Sequence, residues 1–132
     1  MRNARESAMS GHYSIRCRRE ISAAHRLPGH PGPCAAMHGH NFRVTAELGA
    51  RRLEDGMVAD FARVGAAMDA VLGCLDHACL NDLPELVPPT AEILAAWIFA
   101  RLTEALADDR VRLTRVTVEE SPGLSASYTE EA

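Results

Sequence analysis

His38-Gly39-His40-Asn41-Phe42-Arg43-Val44-Thr45-Ala46-Glu47-Leu48 alternates with a period of 2, the mark of a β-strand with two unlike faces. His38, His40, Phe42, Val44, Ala46 and Leu48 fall on one side, and Gly39, Asn41, Arg43, Thr45 and Glu47 on the other. The two histidines therefore share an apolar face, and Gly39 removes the bulk that would sit behind them. Upstream, Tyr13, Ile15, Cys17, Arg19, Ile21, Ala23 and His25 repeat the alternation, with Arg19 the one polar member. An antiparallel hairpin of the two segments, joined by a long loop, sets His25 beside the start of the second strand, so that three imidazoles converge.

Three protein nitrogens with one position left for water or substrate is the arrangement of a catalytic zinc, whereas structural zinc is usually closed by four ligands. Iron, nickel and copper also accept imidazole. Zn2+ on His25, His38 and His40 is the expectation, because no carboxylate or thioether obviously completes a redox site. The competing reading is a set of satisfied core histidines. It suits a lone histidine better than a pair at i, i+2 with a third matched in parity on a neighbouring strand.

The loop between the strands carries Cys34, after Pro28-Gly29-His30-Pro31-Gly32-Pro33. A thiol that is exposed and close to a cation is in the setting that makes thiols reactive. The other cysteines, Cys17, Cys74 and Cys79, form no CxxC pair, and nothing suggests secretion, so free thiols are expected. Cys17 reads as a small core residue.

A chain of 132 residues, 47% apolar and 24% charged, reads as one globular domain over 11–132 with a moderate core. The net charge of −4 offers no basic surface for nucleic acid. All 14 basic residues are arginine, which excludes lysine Schiff-base and P-loop chemistry. No stretch approaches the roughly 20 apolar residues of a membrane span. Residues 1–10 lack the apolar core of a signal peptide and are expected to be a disordered extension, with the cytoplasm as the location.

Beyond the hairpin, Phe61, Val64, Met68, Val71, Leu72 and Leu75 recur at helical spacing behind Asp60, an N-cap residue. An irregular stretch over 76–89 ends in Pro88-Pro89. Thr90 then caps a second helix, with Glu92 in its first turn and Leu94, Trp97, Ile98, Leu102 and Leu106 as its buried stripe. A third strand over 111–120 and a short fourth over 126–128 complete the order: two strands, two helices, two strands. This is an α+β arrangement whose open sheet edges invite pairing between subunits.

Two further clusters stand out. Asp76-His77 pairs a carboxylate with an imidazole, although such dipeptides are mostly polar helix ends. Cys74-x-x-His77-x-Cys79 has metal-ligand residues but no fourth partner. Glu120 shares the parity of Thr114, Val116 and Val118, which turns its carboxylate to the buried side, where a partner is expected. Glu119 reads as solvated.

With these residues in place, the chain resembles the 6-pyruvoyl-tetrahydropterin synthase family. The resemblance rests on Ser22-Ala23-Ala24-His25-Arg26-Leu27, Cys34-x-x-x-His38-Gly39-His40-Asn41, Gly56-Met57-Val58-x-Asp60-Phe61, Leu75-Asp76-His77-x-x-Leu80-Asn81-Asp82, Pro89-Thr90-x-Glu92 and Val116-x-Val118-x-Glu120. Within the family it is similar to the carboxy-forming branch, the 6-carboxy-5,6,7,8-tetrahydropterin synthases of the 7-deazaguanine (queuosine) pathway. The three residues between Cys34 and His38 look like that branch.

The resemblance implies the tunnelling fold: a four-stranded antiparallel sheet with two helices on one face. Three subunits would join edge to edge into a barrel, and two trimers would stack into a homohexamer. It implies a zinc-dependent lyase that converts 7,8-dihydroneopterin triphosphate to 6-carboxytetrahydropterin, acetaldehyde and triphosphate. The alternatives are 6-pyruvoyl-tetrahydropterin formation and a non-catalytic zinc- or pterin-binding protein. Cys34 would be the general base, His77 supported by Asp76 a proton shuttle, and Glu120 the anchor of the pterin. Thr90 and Glu92 would line the pocket or merely cap the helix, the cap being the expected role. Relatives often carry Leu-Lys where Val64-Gly65 stands; if that lysine holds triphosphate, an arginine such as Arg26 must replace it.

Overall fold

The computed structural model describes residues 11–131; the extension expected over 1–10 lies outside the described residues. β1 (Tyr13–His25) and β2 (His38–Ala50) are long antiparallel neighbours in unbroken register, from Tyr13 opposite Ala50 to His25 opposite His38. The alternation read in both segments is what pins this register, since a slip of one residue would turn every core side chain outward. Ile21, Ala23 and His25 of β1 and Phe42, Val44, Ala46 and Leu48 of β2 are buried on one face. Cys17 is partly buried and packs against that core.

α1 (Phe61–Leu72) starts at Asp60, whose carboxylate accepts from the Ala62 N–H at 2.8 Å, and buries Val64, Met68 and Leu72. Phe61 does not join that stripe: it is 62% exposed. Leu75 is buried but lies beyond the helix end. α2 (Ala91–Leu106) starts at Thr90, whose hydroxyl accepts from the Ile93 N–H at 3.2 Å. Leu94, Ile98, Leu102 and Leu106 are fully covered, whereas Trp97 is only partly buried, donating from Nε1 to Glu85 at 2.9 Å beneath the Arg101 guanidinium.

The sheet has five strands rather than four, and it is not wholly antiparallel. β3 (Ala78–Cys79) lies parallel to Ala23-Ala24 at the outer edge of β1, within the stretch read as irregular. Two residues are too few to display a period. What holds them is partly side-chain chemistry. Asp76 Oδ1 accepts the Ser22 N–H at 2.9 Å, and the His77 N–H donates to the Ser22 carbonyl. Asn81 then brackets Arg26, accepting its N–H at 2.8 Å and donating to its carbonyl at 2.9 Å.

β4 (Arg112–Ser121) pairs with β2 and β5 (Leu124–Tyr128) with β4, giving the order β3-β1-β2-β4-β5. A bulge puts one extra residue, Thr114, between Leu113 and Arg115 where β2 has Glu47 followed by Leu48. The Thr114 hydroxyl donates to the Glu47 carbonyl at 3.1 Å, and the strand's parity changes there. Val111 and Leu113 therefore reach the core alongside Val116 and Val118, while Thr114 itself is only half-buried. The opposite face of the sheet is charged, with Arg16 and Arg115 on Glu47 and with Glu20 and Glu119 on Arg43.

Candidate metal centre

Parity and register bring His25, His38 and His40 together on the helix-covered face, at the end of the hairpin nearest the loop. The ring centroids of His25 lie 4.5 Å from His38 and 5.4 Å from His40, and His38 lies 4.8 Å from His40. One nitrogen from each ring falls within 4.8 Å of the others. Phe42, one pleat further along, stacks edge-on at 5.4 Å from both His25 and His40 and seals the inner side.

Two of the three remaining ring nitrogens are committed. His25 Nδ1 donates to the Pro89 carbonyl at 2.7 Å, and His38 Nδ1 donates to the Ala36 carbonyl at 2.8 Å. Each bond fixes the tautomer that leaves Nε2 with a free lone pair, the usual support for a metal-bound imidazole. His25 is 1% exposed, and its Nε2 is the single buried side-chain nitrogen or oxygen among the described residues with no hydrogen-bond partner. A buried polar atom without a partner costs about 1–3 kcal/mol, and a cation on that lone pair would recover it. Burial lowers the pKa of His40, the nearby Glu120 carboxylate opposing it and the other two rings reinforcing it. A neutral imidazole is the ligating form. The donor set fits a divalent ion such as Zn2+, and no other group of three such ligands occurs among the described residues.

Glu120 reaches the same place, with Oε1 3.8 Å from His25 Nε2. The other expected site residues sit around the centre rather than in it. Cys34 lies in the 3-10 turn Pro33–Ala35, half-buried rather than exposed, its carbonyl accepting the Leu27 N–H at 2.8 Å. Asp76 and His77 form an exposed pair, with His77 Nδ1 3.1 Å from Asp76 Oδ2, against the edge of β1. His77 has a φ of 58°, a left-handed backbone that carries its imidazole away from the strand direction. The Ser22 N–H, followed by the facing His77, holds the Asp76 carboxyl below the usual carboxylate range, partly opposed by desolvation. A groove of about 560 Å³ on this side is lined by Ser22, Ala24, His40, Asn41, His77 and Cys79. The Cys74, His77 and Cys79 set does not gather as a metal site; Cys74 instead donates to the Val71 carbonyl and Cys79 contacts the Met37 sulfur. Thr90 spends its hydroxyl on the helix cap and Glu92 is exposed.

The Pro89 carbonyl and Asn81 were not among the expected site residues. A backbone acceptor leaves no side-chain signature. Asn81 did leave one, an amide in a Leu-Asn-Asp turn four residues past His77.

Three imidazoles on paired strands of an α+β sheet, with a carboxylate at their side, form a group that could hold one metal ion. The chain belongs to the 6-pyruvoyl tetrahydropterin synthase family, whose profile matches residues 14–131. It is 47% identical over 91 residues to the 6-carboxy-5,6,7,8-tetrahydropterin synthase of a Synechocystis species, covering 64% of this chain and 70% of that one. To a probable 6-carboxy-5,6,7,8-tetrahydropterin synthase of Halobacterium salinarum it is 34% identical over 124 residues, covering 80% and 79%. The solved 6-pyruvoyl tetrahydropterin synthase of Caenorhabditis elegans superposes with a TM-score of 0.79 at 27% identity, over 92% of this chain and 97% of that one.

Proposed function

We propose that the chain is a zinc-dependent 6-carboxy-5,6,7,8-tetrahydropterin synthase of 7-deazaguanine (queuosine) biosynthesis. It converts 7,8-dihydroneopterin triphosphate to the carboxypterin with release of acetaldehyde and triphosphate. The observation that carries this reading is the convergence of His25, His38 and His40, with two tautomers fixed by carbonyls, in a chain whose relatives bear that name. A bound Zn2+ supplies Lewis acidity toward oxygens of the substrate's side chain.

The protein's own groups do the rest. Cys34, four residues before His38 and half-buried, removes a carbon-bound proton as general base. His77 passes protons on the other side of the substrate, its Nδ1 held toward Asp76 at 3.1 Å. Glu120 accepts hydrogen bonds from the amino-pyrimidine edge of the pterin, a two-oxygen match to two donors. Thr90 and Glu92 act as helix cap and first-turn charge rather than on the substrate.

The side of β1 beyond Ala23-Ala24, where the two-residue β3 ends, and the outer side of β5 are open edges that support assembly into a homohexameric barrel, with Cys34 and Asp76-His77 completing a site across subunits. No helix of the described residues is long and apolar enough to cross a membrane, and we place the enzyme in the cytoplasm.

Incubation with 7,8-dihydroneopterin triphosphate, followed by mass analysis, tests the reading. Carboxytetrahydropterin and acetaldehyde are expected in equal amounts. Triphosphate release without acetaldehyde would assign the pyruvoyl reaction, and no turnover would assign a binding protein. Cys34→Ala is expected to slow turnover by about 10²–10⁴-fold, the range for a lost general base, with metal content unchanged at about one per chain. Retained turnover would remove Cys34 from the chemistry.

A further inference from the structure

Glu120 stands apart from every other carboxylate near the centre. Among the described residues it makes no hydrogen bond, although its side chain is only 26% exposed. Its neighbour Glu119 is bound to Arg43 at 3.3 Å on the opposite face. The β4–β5 register shifts between Glu119 and Ser121, so Glu120 sits at a bulge, a device that re-aims a side chain. Here the carboxylate is aimed at His25, whose Nε2 likewise has no hydrogen-bond partner.

We infer that in the substrate-free protein Glu120 Oε1 is the fourth ligand of the ion held by His25, His38 and His40, and that binding of a pterin withdraws it. In a tetrahedral site with bonds of about 2.0–2.2 Å, adjacent donor atoms lie about 3.3–3.6 Å apart. Oε1 is 3.8 Å from His25 Nε2; it stands just outside the group that the three imidazole nitrogens form within 4.8 Å of one another, so ligation requires a small inward turn of its side chain. A fourth protein ligand closes the coordination sphere at rest. A pterin offers the same carboxylate two N–H donors in one plane, so capturing it and opening a coordination position become one event. The second half of this inference rests on the proposed pterin chemistry; the first half does not.

Cobalt(II) replaces zinc with a visible spectrum that reports ligand number and type. Full-length wild-type protein, Glu120→Gln and Glu120→Asp are loaded with Co2+, and their Zn2+ affinities are measured by chelator competition. The expected result is a distinct Co2+ spectrum for Glu120→Gln and a Zn2+ Kd weakened about tenfold or more, the scale of losing a supporting group at a metal site. Glu120→Asp, which keeps the carboxylate, is expected to fall between them and guards against a Gln variant that folds poorly. Superimposable spectra and equal affinities for wild type and Glu120→Gln would overturn the assignment. Unsubstituted pterin, which has no side chain to reach the metal, is then added while its binding is followed by fluorescence. A wild-type spectrum that moves toward that of Glu120→Gln supports the exchange, and an unmoved spectrum with bound pterin overturns it. Pterin that does not bind overturns the exchange, while the Co2+ and Zn2+ results on the variants still decide the ligand assignment and turnover of 7,8-dihydroneopterin triphosphate still decides the proposed function.

Discussion

Asp76 links the fold to the candidate chemistry with one carboxylate. Oδ1 takes the Ser22 N–H and Oδ2 faces His77, so the ionised form is the one the folded chain prefers. Its pKa is lowered on folding, so the native state gains from ionisation. That gain is fully present above the ordinary aspartate value of about 3.9 and is lost as pH falls through the depressed native value. The melting temperature of wild type is therefore expected to exceed that of Asp76→Asn at neutral pH, and the gap to close below pH ~3.9. A gap that persists unchanged into strong acid would mean the charge is not what Ser22 holds. At this scale the candidate ligand group was legible because parity is a strong signal: His25, His38 and His40 share a face by counting alone. The position of Cys34 relative to Asp76-His77 was not legible, because a loop thiol and an edge dipeptide obey no period.

Arg19, the polar member of the apolar face of β1, shows how an element absorbs an exception. Its Nε donates to Asp69 Oδ1 on α1 at 2.8 Å, and its guanidinium crosses the helix where Gly65 has no side chain. A Cβ at Gly65 would meet Arg19 Nη2 at 2.2 Å. Gly65→Ala must push the guanidinium aside, forfeiting a partly exposed ion pair of about 0–1 kcal/mol. It also gains about 0.8–1.0 kcal/mol of helix propensity. The two nearly cancel, so chemical denaturation is expected to find stability within about 1 kcal/mol of wild type. A loss of several kcal/mol would show the Arg19 seat to be rigid. Four of the five strands, both helices and both N-caps were legible at this scale, since Asp60 and Thr90 stand where the apolar spacing begins. The bulge at Thr114 was not, because one inserted residue reverses parity without altering composition. Phe61 misled for a related reason. Periodicity marks which residues face inward along a helix, but not where along it the covering sheet stops.

At the scale of the whole chain, the proposed metal binding would be coupled to folding, since the three histidines meet only in the folded hairpin. Free ion at about 100 times its Kd adds about 2.7 kcal/mol to stability. Removing metal with a chelator is therefore expected to lower the melting temperature by several degrees, and restoring Zn2+ to reverse the shift. A chelator that changes nothing would detach the centre from stability. The α+β class and the one-sided packing of helices were legible in the order of elements. The fifth strand was not, because its anchors are the side chains of Asp76 and Asn81 rather than a run of β-formers.

The bond from His25 to Pro89 spans 64 residues and joins the end of the hairpin to the residue before the Thr90 cap. A single ring thus rivets the first strand to the start of the second helix. If His25 Nε2 holds an ion as proposed, its removal would take away the second of the two bonds that fix the ring. Amide deuterium uptake at Leu94, whose N–H closes the first helical turn onto the Thr90 carbonyl, should then quicken together with uptake in the hairpin, far apart in the chain though the two segments are.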